Sequence, residues 1–289
     1  MKLNKKYGCP IGCKYCVITE VDCRRTMWEE KTLIGLNRAV TILNPPPDLN
    51  DQKSVAEFYN FPLELLRGDI VGFNAISDPF WPKYSKELDY FLEKVAPIAK
   101  LVVCVTKFNI SDAMLIRLSK IPNFRLTVSI TGLDTLEGTK TKDRLDLLAR
   151  AKRLGVKAFP IVHPYIAGMS DLAFLPKLKK LGYDFIDVKG FRYNEKNMGE
   201  WLSETAKEFY NGTNEQETLP IDGWLKKVLD SGLKIKSLKT WYSESLLDNF
   251  PCLSERDSVL CVDKILSYAN ITSSSSNKEV IRAAIRRRL

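Results

Sequence analysis

Short apolar, β-branched segments alternate with longer amphipathic segments along this chain, and few folds accommodate that order. The β-branched segments have the length of strands, and the amphipathic segments carry apolar residues at helical spacing. Gly155 stands where a helix-ending glycine is expected. Strand and helix alternate through six rounds when residues 2–7 are counted as the first strand. The later strands are predicted at residues 69–73, 101–105, 124–130, 156–162 and 185–188, and the helices at residues 83–95, 112–118, 143–154, 171–181 and 221–229.

This order predicts an α/β fold in which parallel strands are joined by right-handed helical crossovers. Six units are fewer than the eight of a closed barrel, so we expect a partial (β/α)6 barrel. In barrels of this kind the chemistry lies on the loops that follow the carboxyl ends of the strands. We assign the barrel to residues 1–193. Residues 194–289 are expected to form a mostly helical segment that covers the substrate end and finishes in a basic terminal helix.

Three cysteines lie close together near the start of the chain. Cys9, Cys13 and Cys16 form a C-x3-C-x2-C pattern. Cysteine thiolates are the usual ligands of iron–sulfur clusters, and three of them can bind three corners of one cube. A fourth iron would lack a protein ligand, and an open metal position is typical of a catalytic site. A zinc site would need a fourth cysteine or histidine nearby, and His163 is the only histidine in the chain.

Composition limits the class of protein. The chain has 289 residues, of which 45% are hydrophobic, which suits one large domain or a domain with a small appendage. No run of about 18 apolar residues exists, so we expect no membrane span. An odd count of seven cysteines and the lack of a signal-peptide pattern argue against disulfides, and we expect a cytoplasmic protein. The net charge of +9 favours anionic partners such as nucleic acid or an acidic peptide, the alternative being charges that are merely solvated.

The cysteine spacing, with Tyr15 just before the last cysteine, resembles the radical S-adenosylmethionine (radical SAM) superfamily. The resemblance implies a 4Fe-4S cluster whose open iron is chelated by the amino and carboxylate groups of SAM. One electron, delivered by an external donor such as flavodoxin or ferredoxin, would split SAM into methionine and a 5′-deoxyadenosyl radical. That radical would take a hydrogen atom from substrate. Tyr15 would lie near the adenine.

The barrel region also resembles one branch of the superfamily, the spore photoproduct lyase-like proteins. By position, this resemblance implies that Ser77 and Asp78 lie at the SAM amine and that Lys107 and Ser129 lie at its carboxylate or ribose. It places Arg144 near the same end. Ordinary turn chemistry is the alternative for these polar strand ends, and Asp78 can equally be a helix N-cap. The resemblance covers roughly residues 8–193 and lies in residues 77–80, 105–107, 128–130, 144 and 160–171.

The chain departs from the branch at the position before Ser77. Lyases that repair spore photoproduct have a cysteine there, which returns a hydrogen atom to the product radical, whereas this chain has Ile76. Only eight residues precede Cys9. Both departures argue against repair of DNA lesions. The substrate stays open between a peptide, a nucleic acid and a small metabolite, and no residue is assigned a catalytic role.

Several further residues have roles that the sequence leaves open. His163 follows the fifth predicted strand, where it is either a proton donor or simply hydrogen bonded in place. Cys104 lies among valines and is expected to be buried as a small hydrophobe. The alternative function is a non-enzymatic iron–sulfur protein that binds nucleic acid or senses redox state. Residues that either contact substrate or fill the core are Tyr165, Phe191, Arg192, Tyr193 and Trp241, and cysteines without an assigned role are Cys23, Cys252 and Cys261.

Overall fold

A computed structural model describes residues 9–16, 34–37, 40–193, 200–213 and 216–248. Within these ranges the chain has an α/β fold built on one eight-stranded sheet, whose strands lie side by side in chain order. The first two strands pair antiparallel, and the later pairings are parallel. The strands are β1 (Ile34–Asn37), β2 (Val40–Leu43), β3 (Ile70–Phe73), β4 (Leu101–Thr106), β5 (Phe124–Ser129), β6 (Ala158–Val162), β7 (Phe185–Val188), a separate pair β8 (Phe191–Arg192) and β9 (Glu217–Thr218), and β10 (Lys234–Ile235), which pairs with β7.

Helices cross between successive parallel strands, as the alternation in the sequence predicts. Among the helices of the described ranges, none has both the length and the apolar character needed to cross a bilayer. The α-helices are α1 (Gln52–Tyr59), α2 (Ser85–Tyr90), α3 (Asp112–Ser119), α4 (Thr141–Arg153), α5 (Leu175–Lys180), α6 (Glu204–Tyr210), α7 (Trp224–Asp230) and α8 (Leu238–Asp248); α2 is preceded by a 3-10 turn (Pro82–Tyr84) and continued by a π-helical turn (Phe91–Val95), and a further 3-10 turn spans Leu63–Leu66.

Most of the predicted elements are confirmed, with differences at their ends. The helix predicted at residues 171–181 begins only at Leu175, because the Asp171 side chain accepts a hydrogen bond from the N–H of Ala173 and closes a turn there. Neither β2 nor the short, exposed β10 was predicted. The strand predicted at residues 2–7 and the basic terminal helix lie outside the described residues.

The two faces of the sheet pack against different elements, because side chains alternate along each strand. One face lies against the crossover helices and forms the main core. The other, which we call the inner face, packs against α8. The buried residues of this second core are Ile70, Leu101, Val103, Phe159, Ile161, Leu238 and Tyr242.

Helix α8 covers the inner face near the amino ends of the strands. The Tyr242 hydroxyl lies 3.2 Å from the hydroxyl of Thr127, and the Trp241 ring stacks on Phe159 at 4.9 Å between centroids. Further along β4, Val105 points to the same face and is 44% exposed. A central strand of a parallel sheet is normally buried on both faces. The inner face is therefore closed at the amino ends and open to solvent at the carboxyl ends, an opening that we call the mouth.

Candidate metal and cofactor site

The cysteine loop, residues 9–16, is held at the mouth by backbone hydrogen bonds. The N–H of Lys14 donates to the carbonyl of Leu136 at 2.9 Å, and the N–H of Gly138 donates to the carbonyl of Ile11 at 2.8 Å. Both partners lie on the loop after β5. A side chain at position 138 would put its Cβ 2.6 Å from the Ile11 carbonyl oxygen, so this contact requires glycine.

The three cysteines are free, half-buried thiols. Burial raises the pKa of Cys9, and it raises the pKa of Cys13 to about 12. A bound metal removes such a proton, because only the thiolate is a ligand. In the ranges that the structure describes, no three Cys, His, Asp or Glu side chains converge closely enough to hold one metal ion. Cluster ligands each bind a different iron and so stand farther apart than the ligands of a single ion.

Asp78 connects the cysteine loop to two neighbouring strand ends. Its backbone N–H bonds to the sulfur of Cys9. Its buried carboxylate accepts from the N–H of Phe80 at 3.0 Å, from the hydroxyl of Thr106 at 2.8 Å and from the N–H of Lys107 at 2.8 Å. Burial raises the carboxyl pKa, and these donors oppose that effect. Asp78 is not a helix N-cap, because the next helical turn begins only at residue 82.

Lys107 and Ser129 meet at one backbone carbonyl of the mouth. The ammonium of Lys107 donates to the carbonyl of His163 at 3.1 Å, and the hydroxyl of Ser129 donates to the same oxygen at 2.8 Å. The Lys107 ammonium also lies 5.4 Å from the centroid of the Tyr15 ring. The structure thus brings together four of the six side chains predicted to contact SAM, which are Tyr15, Asp78, Lys107 and Ser129.

Arg144 is buried and paired with an acid that the sequence did not reveal. Its Nη1 lies 2.5 Å from Oε2 of Glu137 and donates to the hydroxyl of Thr139 at 2.6 Å. The other oxygen of Glu137 accepts from the hydroxyl of Thr131 at 2.6 Å. Burial raises the pKa of Glu137 to about 7, with Arg144 acting in the opposite direction. Glu137 lies in an irregular loop with no periodic pattern, so its burial follows only from tertiary contacts.

Buried polar atoms near the cysteine loop have no hydrogen-bond partner among the described residues. Buried polar groups are nearly always hydrogen bonded, so each such atom needs an explanation. A bound group carrying acceptors and donors would supply the partners, and three thiols are the donor set of an iron–sulfur cluster. The residues present therefore fit the implied cluster and an amino-acid-bearing cofactor. The atoms are Tyr15 Oη, Asn74 Nδ2, Ser77 Oγ and Arg144 Nε and Nη2.

The remaining candidates divide between the mouth and the core. Tyr165 and Phe191 are buried, whereas Arg192 is exposed. Trp241 belongs to α8, at the opposite end of the inner face from the cysteines. The prediction that Cys104 is a buried hydrophobe is confirmed at 1% exposure. Residues 23, 252 and 261 lie outside the described ranges.

His163 lines the mouth without a hydrogen bond from its ring. In the described part of the chain, its imidazole has no hydrogen-bond partner, and its side chain is exposed. The surrounding protein nevertheless lowers its pKa to about 3, and the charges of Lys107 and Lys189 add to that effect. Because protein surrounds the His163 ring and solvent still reaches it, the ring forms part of the wall of the mouth.

Comparison of the chain with protein-family models matches none of them, and comparison with curated proteins finds no similar sequence. The mouth combines three free thiols, two ammonium groups and a cluster of buried polar atoms at the carboxyl ends of parallel strands.

Proposed function

We propose that the protein is a radical SAM enzyme and that its sheet is a partial barrel. The observation that carries the proposal is the position of the C-x3-C-x2-C loop. Backbone hydrogen bonds hold it at the carboxyl ends of parallel strands, where the ring of its Tyr15 lies next to the Lys107 ammonium. When bound, a 4Fe-4S cluster and SAM supply a 5′-deoxyadenosyl radical that removes a hydrogen atom from substrate. The reducing electron comes from a donor such as flavodoxin or ferredoxin, and the cytoplasm is the compartment that suits an oxygen-sensitive cluster.

The order of the strands supports the barrel. Seven parallel strands follow one another in chain order, so the crossovers progress in one direction across the sheet. A doubly wound sheet reverses direction at a switch point, and this order has no reversal. The sheet has its main core on the helix side, and its inner face is closed by α8 at the amino ends and open at the carboxyl ends. These features are typical of a barrel whose active site lies at the carboxyl ends of its strands.

Each residue of the mouth then has a definite task. Cys9, Cys13 and Cys16 bind three irons. Lys107 provides a positive charge for the SAM carboxylate, at the side of the mouth nearest the cysteines. The hydroxyl of Ser77 is free to accept from the SAM amine.

Other residues of the predicted SAM set act by positioning. The carboxylate of Asp78 is saturated by three protein donors, so Asp78 fixes the backbone around Cys9 and Lys107. Arg144 fixes the loop after β5 through Glu137 and through a longer 3.8 Å ion pair between its Nη2 and Asp134, while its Nε has no hydrogen-bond partner among the described residues. Ser129 orients the His163 carbonyl. Together they exclude water and orient one substrate C–H bond.

Anaerobic reconstitution with iron and sulfide tests the proposal. The wild-type chain should take up a 4Fe-4S cluster, seen by absorption and electron paramagnetic resonance, and should form 5′-deoxyadenosine from SAM after reduction with dithionite. Cys9→Ala, Cys13→Ala and Cys16→Ala should each lose the intact cluster. Cys104→Ala is the matched control and should keep it, because Cys104 is buried in the core. A reconstituted protein that makes no 5′-deoxyadenosine, with or without candidate substrates, would refute the enzyme.

The net charge of +9 favours a second candidate, a non-enzymatic iron–sulfur protein that binds nucleic acid. Its signature is a DNA or RNA affinity that falls steeply with salt, because phosphate contacts release counterions. Such binding together with a loaded cluster and no cleavage of SAM would favour this candidate over the enzyme.

A further inference from the structure

A second lysine lies at the mouth, on the side away from the cysteines. The N–H of Lys189 donates to the carbonyl of Val162 at 2.9 Å, which continues the parallel pairing of β6 with β7 past the ends of both strands. Because Pro164 has no N–H, Tyr165 makes the return bond to the Lys189 carbonyl at 2.8 Å. This register sets Lys189 directly beside His163.

The ammonium of Lys189 forms no direct ion pair with the residues that the structure describes, and the residue is half-buried. Asp187 lies two residues earlier, on β7, and its charge attracts that of Lys189 without the two groups reaching ion-pair distance. One oxygen of the Asp187 carboxylate also accepts from the N–H of Leu238 at 2.8 Å. An anion bound at the mouth would give the Lys189 ammonium the direct contact that Asp187 does not make.

The other acids of the mouth are already engaged. Asp78 accepts from three protein donors, and Glu137 is paired with Arg144. Lys107 and Lys189 both act electrostatically on His163. The mouth thus has positive charge on two sides of an exposed neutral imidazole.

We propose that Lys189 and the ring of His163 form a subsite for a phosphate group carried by the substrate. A lysine ammonium is a compact point charge that suits phosphate, and a neutral imidazole offers one N–H donor. Lys107 contacts the His163 carbonyl, and Lys189 follows the neighbouring strand, so the phosphate subsite adjoins the place proposed for SAM. The assignment of the phosphate to a substrate rests on the proposed function.

Titration calorimetry on the reconstituted, full-length protein tests the subsite, with inorganic phosphate as the probe and chloride at equal ionic strength as the reference. Phosphate should bind saturably in the presence of SAM. Lys189→Gln should weaken binding about tenfold or more, the loss expected for one charged hydrogen bond. The matched control is Lys180→Gln, because Lys180 is exposed at the end of α5, and it should bind phosphate as the wild type does. Circular dichroism and iron content verify that both variants fold.

The subsite would be refuted if the wild-type protein showed no saturable phosphate binding, or if the wild type and Lys189→Gln bound phosphate with equal affinity. Release of phosphate on addition of SAM would also refute it, because the anion site would then belong to the cofactor. The proposed function fails separately. If the wild type binds phosphate and forms no 5′-deoxyadenosine, the phosphate subsite is supported and the proposed enzyme activity is refuted. If it forms 5′-deoxyadenosine and does not bind phosphate, the enzyme activity is supported and the subsite is refuted.

Discussion

Glu137 Oε2 lies 2.5 Å from Nη1 of Arg144, and both side chains are buried. The pair joins the loop after β5 to the first turn of α4. The residues on either side of Glu137 are the ones that bind the backbone of the cysteine loop. The ion pair therefore fixes the position of three thiols with which it has no covalent connection.

Arg144→Met should lower the free energy of unfolding by about 3–5 kcal/mol, because it leaves a buried carboxylate without its partner. The double variant Glu137→Gln with Arg144→Met should recover part of that loss. Urea denaturation of the metal-free protein measures both. Arg153→Met provides the control, since Arg153 pairs with Asp112 at the surface and should cost at most about 1 kcal/mol. A single variant as stable as this control would show that the buried pair does not hold the loop.

Asp78→Asn should destabilise the metal-free protein by about 1–3 kcal/mol, because an amide N–H₂ would face backbone donors that now share a carboxylate. Iron uptake should fall as well, since the backbone of residue 78 positions Cys9. Asp146→Asn serves as the matched control, because Asp146 pairs with Arg150 at the surface. Unchanged stability and iron content in Asp78→Asn would refute the positioning role.

Tyr242→Ala should lower the free energy of unfolding by about 3–5 kcal/mol, because loss of the ring leaves a cavity between α8 and the inner face. Tyr242→Phe keeps the ring and loses only the 3.2 Å contact with Thr127, so it should cost about 1 kcal/mol. Thermal or urea unfolding distinguishes the two. Equal effects of Tyr242→Ala and Tyr242→Phe would mean that α8 does not plug the amino end.

His163 should stay neutral well below pH 6.5. The protein around the ring lowers its pKa from 6.5, and the charges of Lys107 and Lys189 add to that effect, although the residue keeps contact with solvent. The folded chain then binds fewer protons than the unfolded chain below pH 6.5, so this residue's contribution to stability is full above that pH and declines as the pH falls below it. His163 is the only histidine, so imidazole NMR of the metal-free protein reports it alone. A titration midpoint near 6.5 would contradict the enclosed position of the ring.

Much of the fold was predictable because the spacing of apolar residues along the chain indicates each strand and helix. The β-branched runs of β4 and β5 and the leucine spacing of α4 depend on neighbours along the chain, and each appears where the sequence predicts it. The short β10 lacks such a pattern, since both of its residues are exposed at the edge of the sheet. Its pairing with β7 depends on tertiary contacts, and no pattern of neighbouring residues predicts it.

Residues close together along the chain set the spacing of Cys9, Cys13 and Cys16 and the alternation of strands and helices, so both can be read from the sequence. The pairing of Glu137 with Arg144 and the place of Lys189 beside His163 arise only on folding. Contacts between loops depend on which strand ends the order and register of the sheet bring to one edge, and no pattern of near neighbours specifies that order.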